Sequence, residues 1–160
     1  MAKGSRGGKR AGSSKSLEDL GLKRENNIDE GLFNFTDGRY GNYAQTLAQD
    51  INELADDSQT ILSMTKGNNK AYAVIEPDTD TLEAIISTGG GTGTQMLSNI
   101  LQYQQGQGKG LSWMVDNKAS ESYYDSMGLG KFKTNNNWYD IKPENMKEVI
   151  KLVNKKVRSK

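Results

Sequence analysis

Residues 81–106 read TLEAIISTGGGTGTQMLSNILQYQQG, and the order of properties along this stretch decides the fold. Thr81 to Ile86 is a short apolar run of strand character. Ser87-Thr-Gly-Gly-Gly-Thr-Gly93 interrupts it, and Met96, Leu97, Ile100 and Leu101 then recur at helical spacing until a stop near Gly106. Gly106-Gln-Gly-Lys-Gly110 is too glycine-rich to be regular, and Leu111 to Val115 predicts a second strand. A strand, helix, strand sequence needs a crossover, and crossovers are almost always right-handed. The two strands are therefore expected to lie parallel in one sheet, with the helix across a face.

Upstream, Thr60 to Thr65 and Ala71 to Ile75 are further apolar segments, separated by Lys66-Gly-Asn-Asn-Lys70 and followed by Glu76-Pro-Asp-Thr-Asp80. With Thr81 to Ile86 they predict an antiparallel meander. A helix from Asn42 to Ala55 is expected from Tyr43, Leu47, Ile51 and Leu54, and a first strand from Leu32 to Phe35, ended by Thr36-Asp37-Gly38. Downstream, Asp116-Asn117 opens a short helix closed by Gly128. Gly130 to Phe132 and Trp138 to Ile141 predict a hairpin around Asn135 to Asn137. Pro143 and Glu144 start a last helix with Met146, Val149, Ile150, Val153 and Val157 on one side. The expected fold class is α+β, a mostly antiparallel sheet with one parallel β-α-β junction.

The chain has 160 residues, enough for one ordinary domain, and no apolar run approaches the length of a membrane span. Cysteine and histidine are both absent, which removes disulfides, thiol nucleophiles, Cys/His zinc sites and imidazole bases together. No apolar leader marks a secretory signal, so the expected compartment is cytoplasmic. The net charge of +1 hides a sorted distribution. Residues 1–16 carry +5 and residues 145–160 carry +5, which leaves 10 basic and 19 acidic residues in 17–144, a balance of −9. An acidic body favours a cationic partner. Met1 to Ser16 has too little apolar content to repay ordering. The expected division is a flexible basic tail and linker at 1–28 and one domain at 29–160. The tail suits contact with nucleic acid or another anionic surface, and equally a solubilising leader.

Four glycines in five residues between a strand and a helix let the backbone approach an anion closely, with amides and the helix dipole aimed outward; the bland alternative is a flexible connection. A P-loop is ruled out because Thr94 and Gln95 follow Gly93 where Lys and Ser/Thr are required. A dinucleotide fingerprint is matched by Gly89-x-Gly91 and by Asp116 at the end of the next strand, but the antiparallel meander conflicts with a doubly wound sheet.

Gly91-x-Gly93, a helix, a strand, then Asn117, Tyr124 and Gly128 resemble the acyl-CoA loop and later motif of the GCN5-related N-acetyltransferase (GNAT) family, best matched over Leu82 to Leu129. Thr88 departs from the family's Gln or Arg, Ala119 stands one place early and Leu129 replaces the usual Phe. The resemblance implies an acyltransferase that moves an acetyl group from acetyl-CoA to an amine, without a metal. It places the diphosphate on the amides of Gly89, Gly90, Gly91, Thr92, Gly93 and Thr94, and the pantetheine arm along Ile85, Ile86 and Ser87. It also gives Tyr124 the place of the general acid. The chemistry needs a base for the ammonium proton, and without histidine this is a carboxylate or water. Glu83, which alternation sets opposite Leu82, Ala84 and Ile86, is the first candidate; an exposed glutamate without a role is the alternative. Glu76, Asp78 and Asp80 can attract a cationic substrate. Asn117 positions the acceptor or caps the next helix. Tyr123 is expected to be the more buried of the tyrosine pair.

Two further classes stay open. Ser5-Arg-Gly-Gly-Lys-Arg-Ala-Gly12 resembles the leader of some tailed-phage head-associated proteins, which implies a non-catalytic structural or binding protein whose basic arm meets nucleic acid or a virion component. A dinucleotide-binding protein is the other.

Overall fold

The structure is a computed structural model and describes residues 15–33, 41–134 and 137–158. A six-stranded sheet runs in chain order: β1 (Lys23–Glu25), β2 (Thr60–Lys66), β3 (Asn69–Glu76), β4 (Thr81–Ser87), β5 (Leu111–Met114) and β6 (Trp138–Ile141). Every neighbouring pair is antiparallel except β4 with β5, which is parallel. Helices α1 (Gly41–Leu54), α2 (Thr92–Gly106), α3 (Lys118–Ser126) and α4 (Met146–Arg158) complete an α+β fold with one parallel junction. The sequential order, with an antiparallel meander before the glycine turn, is not the doubly wound sheet that a dinucleotide fold requires.

The period-two alternation of β3 makes two cores. Tyr72 and Val74 join Ile61 and Ile86 beneath Ala44 and Ala48 of α1. Ala71, Ala73 and Ile75 face the opposite side, with Leu62, Met64, Trp113 and Tyr139, under Met96, Leu97, Ile100 and Leu101 of α2 and Met146, Val149 and Val153 of α4. Among the described residues no helix is long and apolar enough to cross a membrane.

Three expectations need correcting. The boundary at residue 28 is too late: Lys23 to Glu25 pair with Ser63 to Ile61 of β2, and Leu20, Leu22 and Ile28 are buried. Single apolar residues among charged ones form no periodic pattern, yet each fills a gap at the sheet's edge. Glu30 to Phe33 form a 3-10 turn in place of the start of a strand, because Phe33 is drawn edge-on against Tyr72 in the α1 core. Gly130 to Phe132 is also a 3-10 turn; the hairpin with β6 is reduced to a bridge between Lys133 and Tyr139. The basic tail through residue 14, the proposed turn Thr36-Asp37-Gly38 and Asn135-Asn136 lie outside the described residues.

If the segment around β1 belongs to the core, Leu22→Ala lowers the unfolding free energy by about 2–5 kcal/mol, the cost of emptying a buried leucine site. Urea denaturation measures it, and a change within experimental error would return residues 17–28 to the tail.

Candidate functional site

The site begins with an irregularity in β4. Val74 lies opposite Ala84 and Ile75 opposite Leu82, so Glu83 is left over as a β-bulge. The extra residue resets alternation. Leu82 faces the α2 and α4 core, whereas Ala84 and Ile86 face α1, and Ile85 packs on the α2 side. The expectation that Leu82, Ala84 and Ile86 share a face is therefore corrected. Glu83 is exposed at the bulge.

Beyond the bulge the sheet divides. β4 and β5 share one paired position, Thr81 with Ser112, supported by the Ser112 N–H donating to the Asp80 carbonyl at 3.0 Å. β5 continues along β6 from Leu111 to Met114, while β4 continues along β3 through Ser87. Thr88 N–H donates to the Lys70 carbonyl at 2.9 Å, which marks the residues that turn their backbone toward β3. By the alternation of an antiparallel ladder, Ile85 and Ser87 turn their N–H and C=O groups to the other edge, where no ladder partner follows among the described residues.

The glycine turn stands at the end of this open edge. Gly89, Gly90 and Gly91 all have positive φ, at 125°, 67° and 75°, which only glycine adopts without strain. Gly91 is the N-cap of α2. It has no side chain, so nothing caps the first turn where Ser or Asp would normally accept from the amides. Thr92 N–H bonds the Gly89 carbonyl and Gln95 N–H the Gly91 carbonyl, while the amides of Gly89, Gly90, Gly91, Gly93 and Thr94 have no acceptor among the described residues. A Cβ on Gly93 would stand 3.3 Å from Ser87 Oγ, so the turn closes tightly onto the end of β4. The Thr92 hydroxyl is fully buried with no hydrogen-bond partner. Unpaired donors at a helix N-terminus are the groups that could hold an anion such as a diphosphate without lysine or arginine. Gly89 to Thr94 would hold it, and Ile85 to Ser87 would present a free strand edge to an amide-bearing arm.

α3 follows β5 and carries both tyrosines. Their order of burial is the reverse of the expectation. Tyr124 is buried at 8% exposure, with its ring 5.3 Å from those of Trp113 and Tyr139, whereas Tyr123 is half-buried. The Tyr123 hydroxyl contacts Thr94 Oγ1, tying α3 to the first turn of α2. Tyr124 and Met127 are both buried and lie three apart, the spacing of a buried helical stripe, and that spacing was the signal available in the sequence. Asn117 caps α3: its Oδ1 accepts from Ser120 N–H at 2.8 Å, and its Nδ2 donates to Asp116. The capping alternative is thus the role seen, and Asp116 is engaged with it.

A charge network fixes α3 against β6. Tyr139 OH donates to Asp125 Oδ1 at 2.7 Å, and Lys133 Nζ reaches Glu121 at 2.7 Å and Asp125 at 3.3 Å. The Tyr139 hydrogen bond, with help from Lys133, holds the Asp125 carboxyl below its ordinary range. Burial, reinforced by Asp125, pushes the Tyr139 phenol well above its ordinary value, so it stays protonated near neutrality and keeps its hydrogen bond to Asp125.

Structure thus brings together Ile85 to Thr94 along one edge and turn, sets Glu83 at the bulge, and places Tyr124 against Trp113 of β5. Sequence reasoning missed the bulge and the Tyr123 contact. Neither a scan against protein-family models nor searches of curated proteins and of solved structures give a match.

In Tyr139→Phe the Asp125 carboxyl is expected to titrate closer to its ordinary 3.8. Because a depressed carboxyl stabilises the fold above its unfolded pKa and loses that effect as pH falls through the folded one, the stability gap between wild type and variant should narrow on acidification. Carboxyl-carbon NMR titration and denaturation at pH 3 and pH 6 check both; an unmoved Asp125 titration would contradict the network.

Proposed function

We propose that the protein is an acyl-CoA-dependent N-acyltransferase that moves an acetyl group from acetyl-CoA to an amine. The observation that supports this reading best is the pairing of an open β4 edge at Ile85 to Ser87 with a glycine turn whose amides lack acceptors. A diphosphate and an amide-bearing arm are what such a turn and edge complement. The resemblance to the acetyltransferase motif order adds to it.

In the reaction the amine nitrogen attacks the thioester carbonyl; a C–N bond forms, a C–S bond breaks, and the sulfur leaves with a proton. The chain's contributions follow from position. Backbone donors at Gly89 to Thr94 anchor the phosphates, and the β4 edge aligns the arm. Glu83, exposed at the bulge, takes the ammonium proton directly or through water. Tyr124, on the helix beside β5, returns a proton to the sulfur; a free phenol is a much weaker acid than a thiol, so transfer needs close approach. The acidic body between the two basic ends attracts the cationic acceptor.

The burial of Tyr124 favours a second reading, a non-catalytic binding protein on the same scaffold, with residues 1–16 as an arm for nucleic acid or a virion component.

Acetyl-CoA at about 100-fold excess over its Kd should stabilise the fold by about 2.7 kcal/mol, seen as a rise in melting temperature. No shift would count against the transferase reading. With a panel of amines, Tyr124→Phe should slow thioester consumption about 10²- to 10⁴-fold, while Tyr123→Phe slows it less. Binding without turnover in the wild type would select the non-catalytic reading.

A further inference from the structure

The glycine turn has a neighbour that is not part of it. Asn69, the first residue of β3, follows the tight turn after β2 and is half-buried beside Gly89 and Gly90. Its orientation is fixed by a chain of hydrogen bonds. Lys70 N–H donates to Thr88 Oγ1 at 2.9 Å, so this hydroxyl is already an acceptor and sends its own proton onward to Asn69 Oδ1, also at 2.9 Å. The carboxamide oxygen is thereby committed to Thr88, and the NH2 end is left toward the glycines. A Cβ on Gly90 would lie 2.4 Å from Nδ2, so glycine is needed there for the carboxamide as well as for its φ of 67°. Nδ2 has no acceptor among the described residues, and Gly90 is exposed. At the adjoining first residue of α2, the fully buried Thr92 hydroxyl is likewise without a partner. An unpaired buried hydroxyl such as that of Thr92 calls for a water or a ligand, and the half-buried Asn69 adds an amide donor beside the exposed Gly90.

We propose that Asn69 is a further binding residue of this site, donating from Nδ2 to a phosphate oxygen of the acyl carrier's diphosphate. The assignment rests on the transferase reading and deepens it. The Thr88 hydroxyl is engaged between Lys70 N–H and Asn69 Oδ1, and it acts through Asn69 as a positioning residue that fixes which end of the carboxamide faces the ligand. The amide reaches the turn from β3, the strand paired with β4.

Asn69→Asp is the discriminating variant. It keeps the shape and the acceptor for Thr88 but loses the donor and sets a negative charge against the ligand. Calorimetric titration with coenzyme A should show about a ten- to hundredfold weaker Kd, the difference growing at low ionic strength. Asn69→Ala should weaken binding less, and it serves alone if the aspartate variant fails to fold. Turnover of S-acetyl-N-acetylcysteamine, a thioester without phosphate, should be unchanged in both. Coenzyme A bound by Asn69→Asp as tightly as by wild type overturns the assignment while leaving the transferase reading in place. Equal loss of turnover with the phosphate-free thioester also overturns it, because the residue would then act on the fold or on the chemistry. Failure of wild type itself to bind coenzyme A overturns both.

Discussion

The structure depends on one place where the sheet cannot continue. At Glu83 an extra residue enters β4, and beyond it β4 follows β3 while β5 follows β6. A parallel pair joined at one position leaves a strand edge with unspent N–H and C=O groups, a feature that folds ordinarily blunt or cover. The two halves are held in register elsewhere. α2 and α4 pack together over both, and the Ser98 hydroxyl of α2 donates to Asn154 of α4. The open edge lies beside the glycine turn, so unpaired strand groups and the N-terminus of α2 adjoin, which is the arrangement the proposed transferase reading would use for an amide-bearing arm and its phosphates.

Electrostatics reinforce the division. The glycine turn carries no cation, so an anion held there would be met by amide dipoles and the N-terminus of α2. The long basic side chains near the C-terminus have a different use. Lys155, Lys156 and Arg158 occupy the last turn of α4, where they oppose the helix dipole, and Lys156 lies over the Tyr123 ring, which itself meets Thr94. Part of the charge sorting seen along the chain is therefore helix chemistry, independent of any partner.

Elements set by repeated local pattern were legible in the sequence. The meander, the crossover through α2, and the apolar side of α4 each rest on several residues agreeing in period, and tertiary contacts only confirm them. What escaped was decided by single residues acting over distance. Leu22 and Ile28 have no periodic neighbours, and Phe33 turns a presumed strand into a 3-10 turn because Tyr72 offers it a partner. The bulge is invisible because Thr81 to Ser87 alternates plausibly in either register; only the pairing with Val74 and Ile75 reveals the extra residue. The glycine turn was legible as the turn from strand to helix because its glycines are adjacent in sequence. Asn69 was not, being nineteen positions from Thr88 and brought to it by strand pairing.

The same distinction bears on the two tyrosines. Adjacent residues on a helix point about 100° apart, so one of Tyr123 and Tyr124 must face the aromatic core and the other its margin. Trp113 and Tyr139 stack at 14° between ring planes and the Tyr124 ring packs tilted against both at 5.3 Å, so its position is a consequence of packing. The acid role proposed for Tyr124 requires the phenol oxygen, at the far end of that ring, to reach the gap between β4 and β5. In that proposed role a buried ring would fix the oxygen, with little entropy to lose on approach to the sulfur, and would keep bulk water from competing for the proton.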